Sequence, residues 1–242
     1  MDLKEFFRQH PKAAIAFSGG VDSSYLLYAA LQCGADVRAY YVKGAFQPQF
    51  ELDDAQRLAR DIHAPMTVLR ADVLRDETVT ANPANRCYYC KKVVFSSIAQ
   101  AALADGYTVL LDDAGDRPGM RALQELQVLS PLRLCGLTKP EIRRLSKEAR
   151  LFTWDKPAYA CLATRIPTGE KITAEKLSAT ESAEGELFAM GFTDFRVRWY
   201  AGAARLQFPA VQLPRVLERR EEILTKLKKY YPAVLLDLEV RG

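Results

Sequence analysis

Short apolar runs alternate along this chain with longer stretches whose apolar residues recur every three or four positions. Residues 12–18 (KAAIAFS), 36–43 (DVRAYYVK), 65–73 (PMTVLRADV) and 107–111 (YTVLL) are the apolar runs. Between them, residues 2–10, 22–33 and 51–63 carry helical spacing, and the stretch from Arg86 to Lys92 leads into a helix ending near residue 104. Strands that alternate with helices predict right-handed crossovers and a parallel sheet, so the expected fold class is α/β and Rossmann-like. Ligands of such sheets bind at the carboxyl ends of the strands. Residues 75–85 and 112–119 are polar and rich in turn formers and read as loops, and Thr138, Pro140 and Glu141 make an N-terminal cap for a helix through residue 149. Residues 154–169 (WDKPAYACLATRIPTG) break the periodicity and read as an active-site loop closing a first domain at 1–168.

From there the pattern changes. A helix over 174–190, strands over 194–200 and 203–208, a long helix over 211–230 and a last strand over 233–240 predict a small α+β domain at 169–242. The Ala201-Gly202 turn between adjacent strands makes that part antiparallel.

The first strand runs into Ser18-Gly19-Gly20-Val21-Asp22-Ser23-Ser24 and then directly into a helix. Glycines let the backbone turn sharply and bring N–H groups to an anion, and Ser18, Ser23 and Ser24 add hydroxyls at the positive helix end. Phosphate is the natural guest. A Gly-Lys-Ser/Thr run and the three spaced glycines of a dinucleotide fingerprint are both missing, which removes Walker-type kinases and dehydrogenases. The segment resembles the PP-loop of the ATP pyrophosphatases, enzymes that split ATP between its α- and β-phosphates and adenylylate a substrate oxygen. That resemblance implies ATP binding by Ser18, Gly19, Gly20, Asp22, Ser23 and Ser24, with Asp22 near Mg²⁺.

At 242 residues, 49% hydrophobic and 26% charged, the chain is long enough for a large domain with a smaller one, and 34 basic against 30 acidic residues leave a net charge of +4. That charge does not call for nucleic acid as a partner and does not repel an anionic substrate. A charged start and the lack of a long apolar run predict a cytoplasmic protein without a membrane segment. The five cysteines are then thiols or metal ligands rather than a disulfide framework.

Cys87 and Cys90 form a CxxC pair, expected in the loop before a helix, and Cys161 stands in the Pro-flanked loop with Lys156 and Arg165 close in sequence to favour a thiolate. Zinc needs a fourth ligand, for which His10 and His63 are poorly placed, and a thioredoxin-like dithiol leaves Cys161 without a role. A 4Fe-4S cluster held by Cys87, Cys90 and Cys161, with one iron open for an extra sulfide, uses all three. Cys33 and Cys135 read as buried small hydrophobes.

NPANRCYYCKK, DRPGMRALQELQVLSPL, GLTKPEIRRLSKEA, TWDKPAYACLATRIPTGEKIT and RVRWYAGAARL together resemble the LarE family, ATP-dependent sulfur transferases that mature the nickel-pincer nucleotide of lactate racemase. The resemblance implies that pyridinium-3,5-biscarboxylic acid mononucleotide is adenylylated on its carboxylates and converted to thiocarboxylates, with sulfide or another sulfur donor. It places Cys161 as the sulfur-handling cysteine and Thr164, Arg165, Glu184, Arg196 and Arg198 around the nucleotide, where guanidinium groups suit phosphate and carboxylate. A homo-oligomer is expected. Within the family some members sacrifice the cysteine sulfur and are left with dehydroalanine, whereas those with CxxC use a cluster, the type this chain is similar to. The competing functions are tRNA thiolation and an iron–sulfur carrier with a vestigial loop. Residues 111–118 are shorter than the family's corresponding segment, so ATP contacts there do not carry over.

Overall fold

The structure is a computed structural model that describes residues 1–113 and 120–241. Asp2 caps α1 (Leu3–Gln9), accepting the Glu5 N–H at 2.8 Å, and β1 (Lys12–Ala16) follows with four of its five residues buried. The chain continues through α2 (Val21–Gln32), β2 (Asp36–Lys43), α3 (Gln49–Asp61) and β3 (Met66–Arg70). The region expected to be loop contains the short α4 (Glu77–Thr80), capped by Asp76, and leads to α5 (Arg86–Ala104). Then come β4 (Leu110–Leu111), α6 (Met120–Glu125), α7 (Pro131–Leu134) and α8 (Lys139–Glu148), the last with the expected Thr138–Glu141 capping box. β4 is shorter than expected because Gly106, at φ +82°, closes the end of α5 and Tyr107 donates its N–H back to Ala102 at 2.8 Å.

Strands β3-β2-β1-β4 form one parallel sheet in that order, as the alternation of apolar runs predicts. Both faces are covered. Ala13 and Ile15 point into a core shared with Phe6, Leu26, Leu58 and Ile142, whereas Ala14 and Ala16 point into a second core with Phe95, Ile98 and Leu123. The order reverses at β1, with β2 and β3 on one side and β4 on the other. In doubly wound sheets this switch point opens the ligand crevice at the carboxyl ends of the strands. The fold class is therefore the α/β, PP-loop type expected.

The chain divides into two compact units, Met1–Val73 with Asn85–Lys156, and Leu74–Ala84 with Pro157–Gly242. The loop after Lys156 thus packs with the second unit rather than closing the first at residue 168. The segment around α4 packs there too, because Asn82 Nδ2 donates to the carbonyls of Ile166 (3.3 Å) and Pro167 (2.7 Å) and Ile172 N–H donates to Thr80 O at 2.8 Å.

In the second unit α9 (Ala174–Ala189) precedes β5 (Arg196–Tyr200) and β6 (Ala203–Gln207), an antiparallel hairpin whose turn residues Ala201 and Gly202 both have positive φ. The expected long helix is instead a 3-10 turn followed by α10 (Leu213–Glu218) and α11 (Arg220–Leu227). Pro214 sets the start of α10, and the chain breaks at Arg219, which with Arg215 turns its guanidinium to the Met190 carbonyl at the end of α9, each at 2.7 Å. β7 (Val234–Leu236) pairs parallel with β6, a correction to the all-antiparallel expectation, because the intervening helices form a crossover rather than a hairpin. Among the described residues no helix is long and apolar enough to cross a membrane.

The core of the second unit stacks Phe195 against Phe208 (5.5 Å between centroids) and Phe188 (4.7 Å), with Phe195 fully buried. Phe195→Ala is expected to cost about 3–5 kcal/mol in urea denaturation; a loss below about 1 kcal/mol would mean that this ring cluster does not hold the unit together.

Candidate functional site

At the end of β1 the backbone turns at Gly19, φ +72°, where an added Cβ would stand 3.0 Å from Ala55 Cβ of α3. Only glycine fits. Gly20 is the N-cap of α2 and supplies no side chain to its N–H groups, so the positive end of the helix is left to whatever binds there. Ser18 and Ser23 hydroxyls meet at 2.9 Å, Ser23 Oγ donates to Gly20 O at 3.2 Å, and Gly20 N–H donates to Ser18 Oγ at 3.3 Å. Ser24 is fully buried, and its Oγ has no hydrogen-bond partner among the described residues. Ser18, the two glycines, and Asp22, Ser23 and Ser24 of the first turn of α2 therefore stand together at the end of β1.

Asp22 is buried at its base, and Lys139 Nζ donates to its two oxygens at 2.5 and 2.6 Å. A cavity of about 380 Å³ opens here, lined by Asp22, Asp113, Arg133 and Lys139 with Leu132 and Leu137. Lys139 was legible only as part of a helix cap. Lys156 Nζ lies 2.9 Å from Glu51 Oε2, 2.8 Å from Asp54 Oδ2 and 3.4 Å from the Gly19 carbonyl, while Arg143 holds the carbonyls of Trp154 and Lys156. The Lys156 charge is thus engaged with two carboxylates beside the phosphate loop.

Asp112 follows β4, next to β1 in the sheet, and is buried, with its Oδ1 accepting the Asp113 N–H at 2.8 Å. Burial first, and the neighbouring Asp113 second, push its carboxyl up to about 8. The sequence placed this aspartate in a polar loop without marking it as buried; an acid set directly after an apolar strand was the available signal. Residues 114–119 of that acidic loop lie outside the described residues.

In the second unit the functional residues read from the sequence gather around Glu184. Its Oε1 accepts Arg165 Nε at 2.8 Å and the Val197 N–H at 3.0 Å; Oε2 accepts Arg165 Nη2 at 3.2 Å and the Tyr159 hydroxyl. Burial, reinforced by this carboxylate, raises the Tyr159 phenol. Arg165 Nη1 donates to Ala160 O and Thr164 Oγ1, both at 2.9 Å, so this fully buried guanidinium braces the 157–167 loop and is not open to a ligand. For Arg165 itself, burial pulls the pKa down but Glu184 more than offsets it.

Arg196 donates to Phe195 O and Ala158 O, both at 2.6 Å; burial, then Arg165 and Arg241, bring it down to about 10. Arg198, half-buried, donates to Gln207 and, at 2.8 Å, to Thr164 O, and burial with Arg165, Arg205 and Arg241 lowers its pKa too. Five arginines thus stand against the carboxylates Glu184, Asp194 and Asp237, an excess of positive charge that suits an anion.

None of the five cysteines is in a disulfide. Cys87 and Cys90 lie on the first turn of α5, not in a loop before it, and their spacing of three puts both thiols on one helical face. Cys161 belongs to the second unit, as N-cap of a 3-10 turn from Leu162 to Arg165, and Thr164 Oγ1 donates to its carbonyl at 2.8 Å. Three partly buried cysteines match the donor chemistry of a three-cysteine cubane. Among the described residues, however, no three His, Cys, Asp or Glu side chains are grouped to hold a metal ion. Cys135 is half-buried against the first core, whereas Cys33 is exposed because it caps the end of α2, past its apolar face.

The glycine turn, the bare helix end and the sheet switch point define a PP-loop protein of the Rossmann-like α/β class. No family model matches the chain. It is 36% identical over 249 residues, 98% of its own length and 92% of the relative's, to an uncharacterised protein of Synechocystis. It is also 30% identical over 236 residues, 94% and 86% of the two chains, to pyridinium-3,5-bisthiocarboxylic acid mononucleotide synthase of Lactiplantibacillus plantarum. A third similarity, 25% over 119 residues and 39% of the chain, is to the tRNA-specific 2-thiouridylase MnmA of Fervidobacterium nodosum, of which it covers 34%. The chain belongs to the LarE family, that of the Lactiplantibacillus synthase, and is a sulfur-transfer enzyme.

The protonated form of Asp112 is favoured by folding, so stability is present at low pH and lost as pH rises from about 4, the unfolded value, through about 8. Asp112→Asn is expected to remove that loss: relative to the native chain it gains on the order of a few kcal/mol between about pH 5 and about pH 8. A difference that stays constant across this window, measured by chemical denaturation, refutes the assignment.

Proposed function

We propose that this enzyme uses ATP to convert the carboxylates of pyridinium-3,5-biscarboxylic acid mononucleotide into thiocarboxylates, releasing AMP and pyrophosphate. The reading is carried by the uncapped N-terminus of α2 behind the Gly19 turn, taken with membership of the family. The pyrophosphate of ATP binds on the Gly19–Ser24 amides and hydroxyls, and Asp22 with Mg²⁺ sits at the cavity that Lys139 and Arg133 also line. A substrate carboxylate oxygen attacks the α-phosphorus, pyrophosphate leaves with the bond electrons, and an acyl-adenylate results. A reduced sulfur then attacks the acyl carbon and AMP departs, leaving the thiocarboxylate. Arg196 and Arg198 draw the anionic nucleotide, Thr164 lies beside it, and the Arg165–Glu184 pair keeps the Cys161 loop in shape.

Cys87, Cys90 and Cys161 would hold a 4Fe-4S cluster, which when bound supplies an iron-attached sulfide as the sulfur source. A CxxC pair on one helical turn supports this over sacrifice of the Cys161 sulfur, in which the pair has no part. Cysteines outside any disulfide suit the cytoplasm.

Substrate-dependent turnover is expected to yield AMP and pyrophosphate, and Asp22→Ala or Ser23→Ala to abolish it with the fold intact; ADP as product would rule out the adenylylation step. Anaerobic reconstitution is expected to give a brown protein with about four irons per chain, lost on replacing any of the three cysteines by alanine. A colourless protein that turns over once and ends with dehydroalanine at position 161 would place the sulfur on Cys161 instead.

A further inference from the structure

Arg86 is the first residue of α5 and is only 6% exposed. Its guanidinium lies 5.7 Å from the ring centroid of Phe46, a fully buried side chain just beyond the carboxyl end of β2, so it stands on the ligand-binding edge of the sheet. Nη2 is 3.7 Å from Cys87 Sγ. Nη1 is buried and bonded to nothing, and no carboxylate pairs with this guanidinium among the described residues.

That arrangement is expensive as architecture. Arginine does not give up its proton, and an ionised group taken out of water without a partner costs several kcal/mol. Arg165 shows what a structural arginine looks like in this chain: buried more deeply still, it holds Glu184 through Nε and Nη2 and two further oxygens through Nη1. Arg86 has a sulfur on one nitrogen and an unfilled donor on the other. It also sits at the N-terminus of a 19-residue helix whose N-cap, Asn85, makes no side-chain cap bond, so the helix end adds positive potential at the same place.

We propose that Arg86 is the oxyanion-binding group of a substrate subsite, holding a carboxylate or phosphate oxygen of the ligand on Nη1 beside the sulfur at Cys87. The choice of a substrate carboxylate as that ligand rests on the function proposed above. During transfer the attacking sulfur forms a bond to the acyl carbon, the carbonyl electron pair moves onto oxygen, and the pair returns as AMP leaves with the C–O bond electrons. A guanidinium that donates to this oxygen also stabilises the transient charge, so the same group would serve binding and the reacting step.

Arg86→Met and Arg86→Lys test the subsite through calorimetric binding of pyridine-3,5-dicarboxylate, inorganic phosphate and ATP, alongside melting of the ligand-free protein. Methionine removes an unpaired buried charge and keeps an apolar side chain in its place, so Arg86→Met is expected to melt at or above the native temperature. It is expected to lose tenfold or more in affinity for the dicarboxylate with ATP binding unchanged, and Arg86→Lys to keep part of the affinity. Arg86-dependent binding of phosphate in place of the dicarboxylate also supports the subsite and assigns it to the phosphate end of the ligand. A Met variant that melts lower than the native chain, or that binds both anions as tightly, overturns the proposal. Failure of the native enzyme to turn over the pyridinium mononucleotide while Arg86-dependent anion binding persists would sink the synthase reading and leave this one standing.

Discussion

A strand buried on both faces must leave the sheet through a turn that no side chain can occupy, and at Gly19 this constraint fixes the rest of the first unit. Ala55 of α3 stands where a Cβ would be, so α3 can pack against the loop only because the residue is glycine. The same turn lets α2 start immediately, with its first amides unsatisfied by any cap side chain. The carboxylates and lysines around it, Asp22 with Lys139 and Lys156 with Glu51 and Asp54, are then arranged about a loop whose backbone is already set.

The second unit depends in a similar way on one buried acid. Glu184, on α9, bonds the Val197 amide of β5 and both Arg165 and Tyr159 of the irregular loop, so helix, strand and loop share a single carboxylate. A buried carboxylate with several charge-assisted donors is tolerable where a lone one is not. Burial first, and then repulsion from Arg165 and Arg241, lowers Arg196 and Arg198 on β5, with Arg205 adding to the repulsion at Arg198.

Much of this was legible in the sequence for physical reasons. Apolar runs on consecutive strands can only be buried on both faces, which is why Ala13 to Ala16 announced a parallel sheet. Ala201-Gly202 announced a hairpin because positive φ is cheap at glycine. What was not legible depends on partners distant in the chain. Nothing local to Lys156 tells that Glu51 and Asp54 will claim it, nor to Arg165 that Glu184 will. The direction of β7 depends on where the α10–α11 crossover returns, and the exposure of Cys33 on where α2 ends. The helical placement of Cys87 was hidden because cysteines and paired tyrosines are weak helix formers, so the pattern looked irregular until Val93.

The excursion of residues 74–84 has a consequence for how this chain could be taken apart. These residues pack with the second unit, through Asn82 to Ile166 and Pro167, yet lie between two stretches of the first. The polypeptide therefore crosses from one unit to the other three times, after Val73, after Ala84 and after Lys156. A single proteolytic nick at any of these crossings leaves fragments still bound by the other two, and a truncation after Lys156 strips Asn82 of both carbonyls it bonds. The two units are separable as packed bodies but not as segments of sequence, so a gene for either alone would have to be rewired rather than merely shortened.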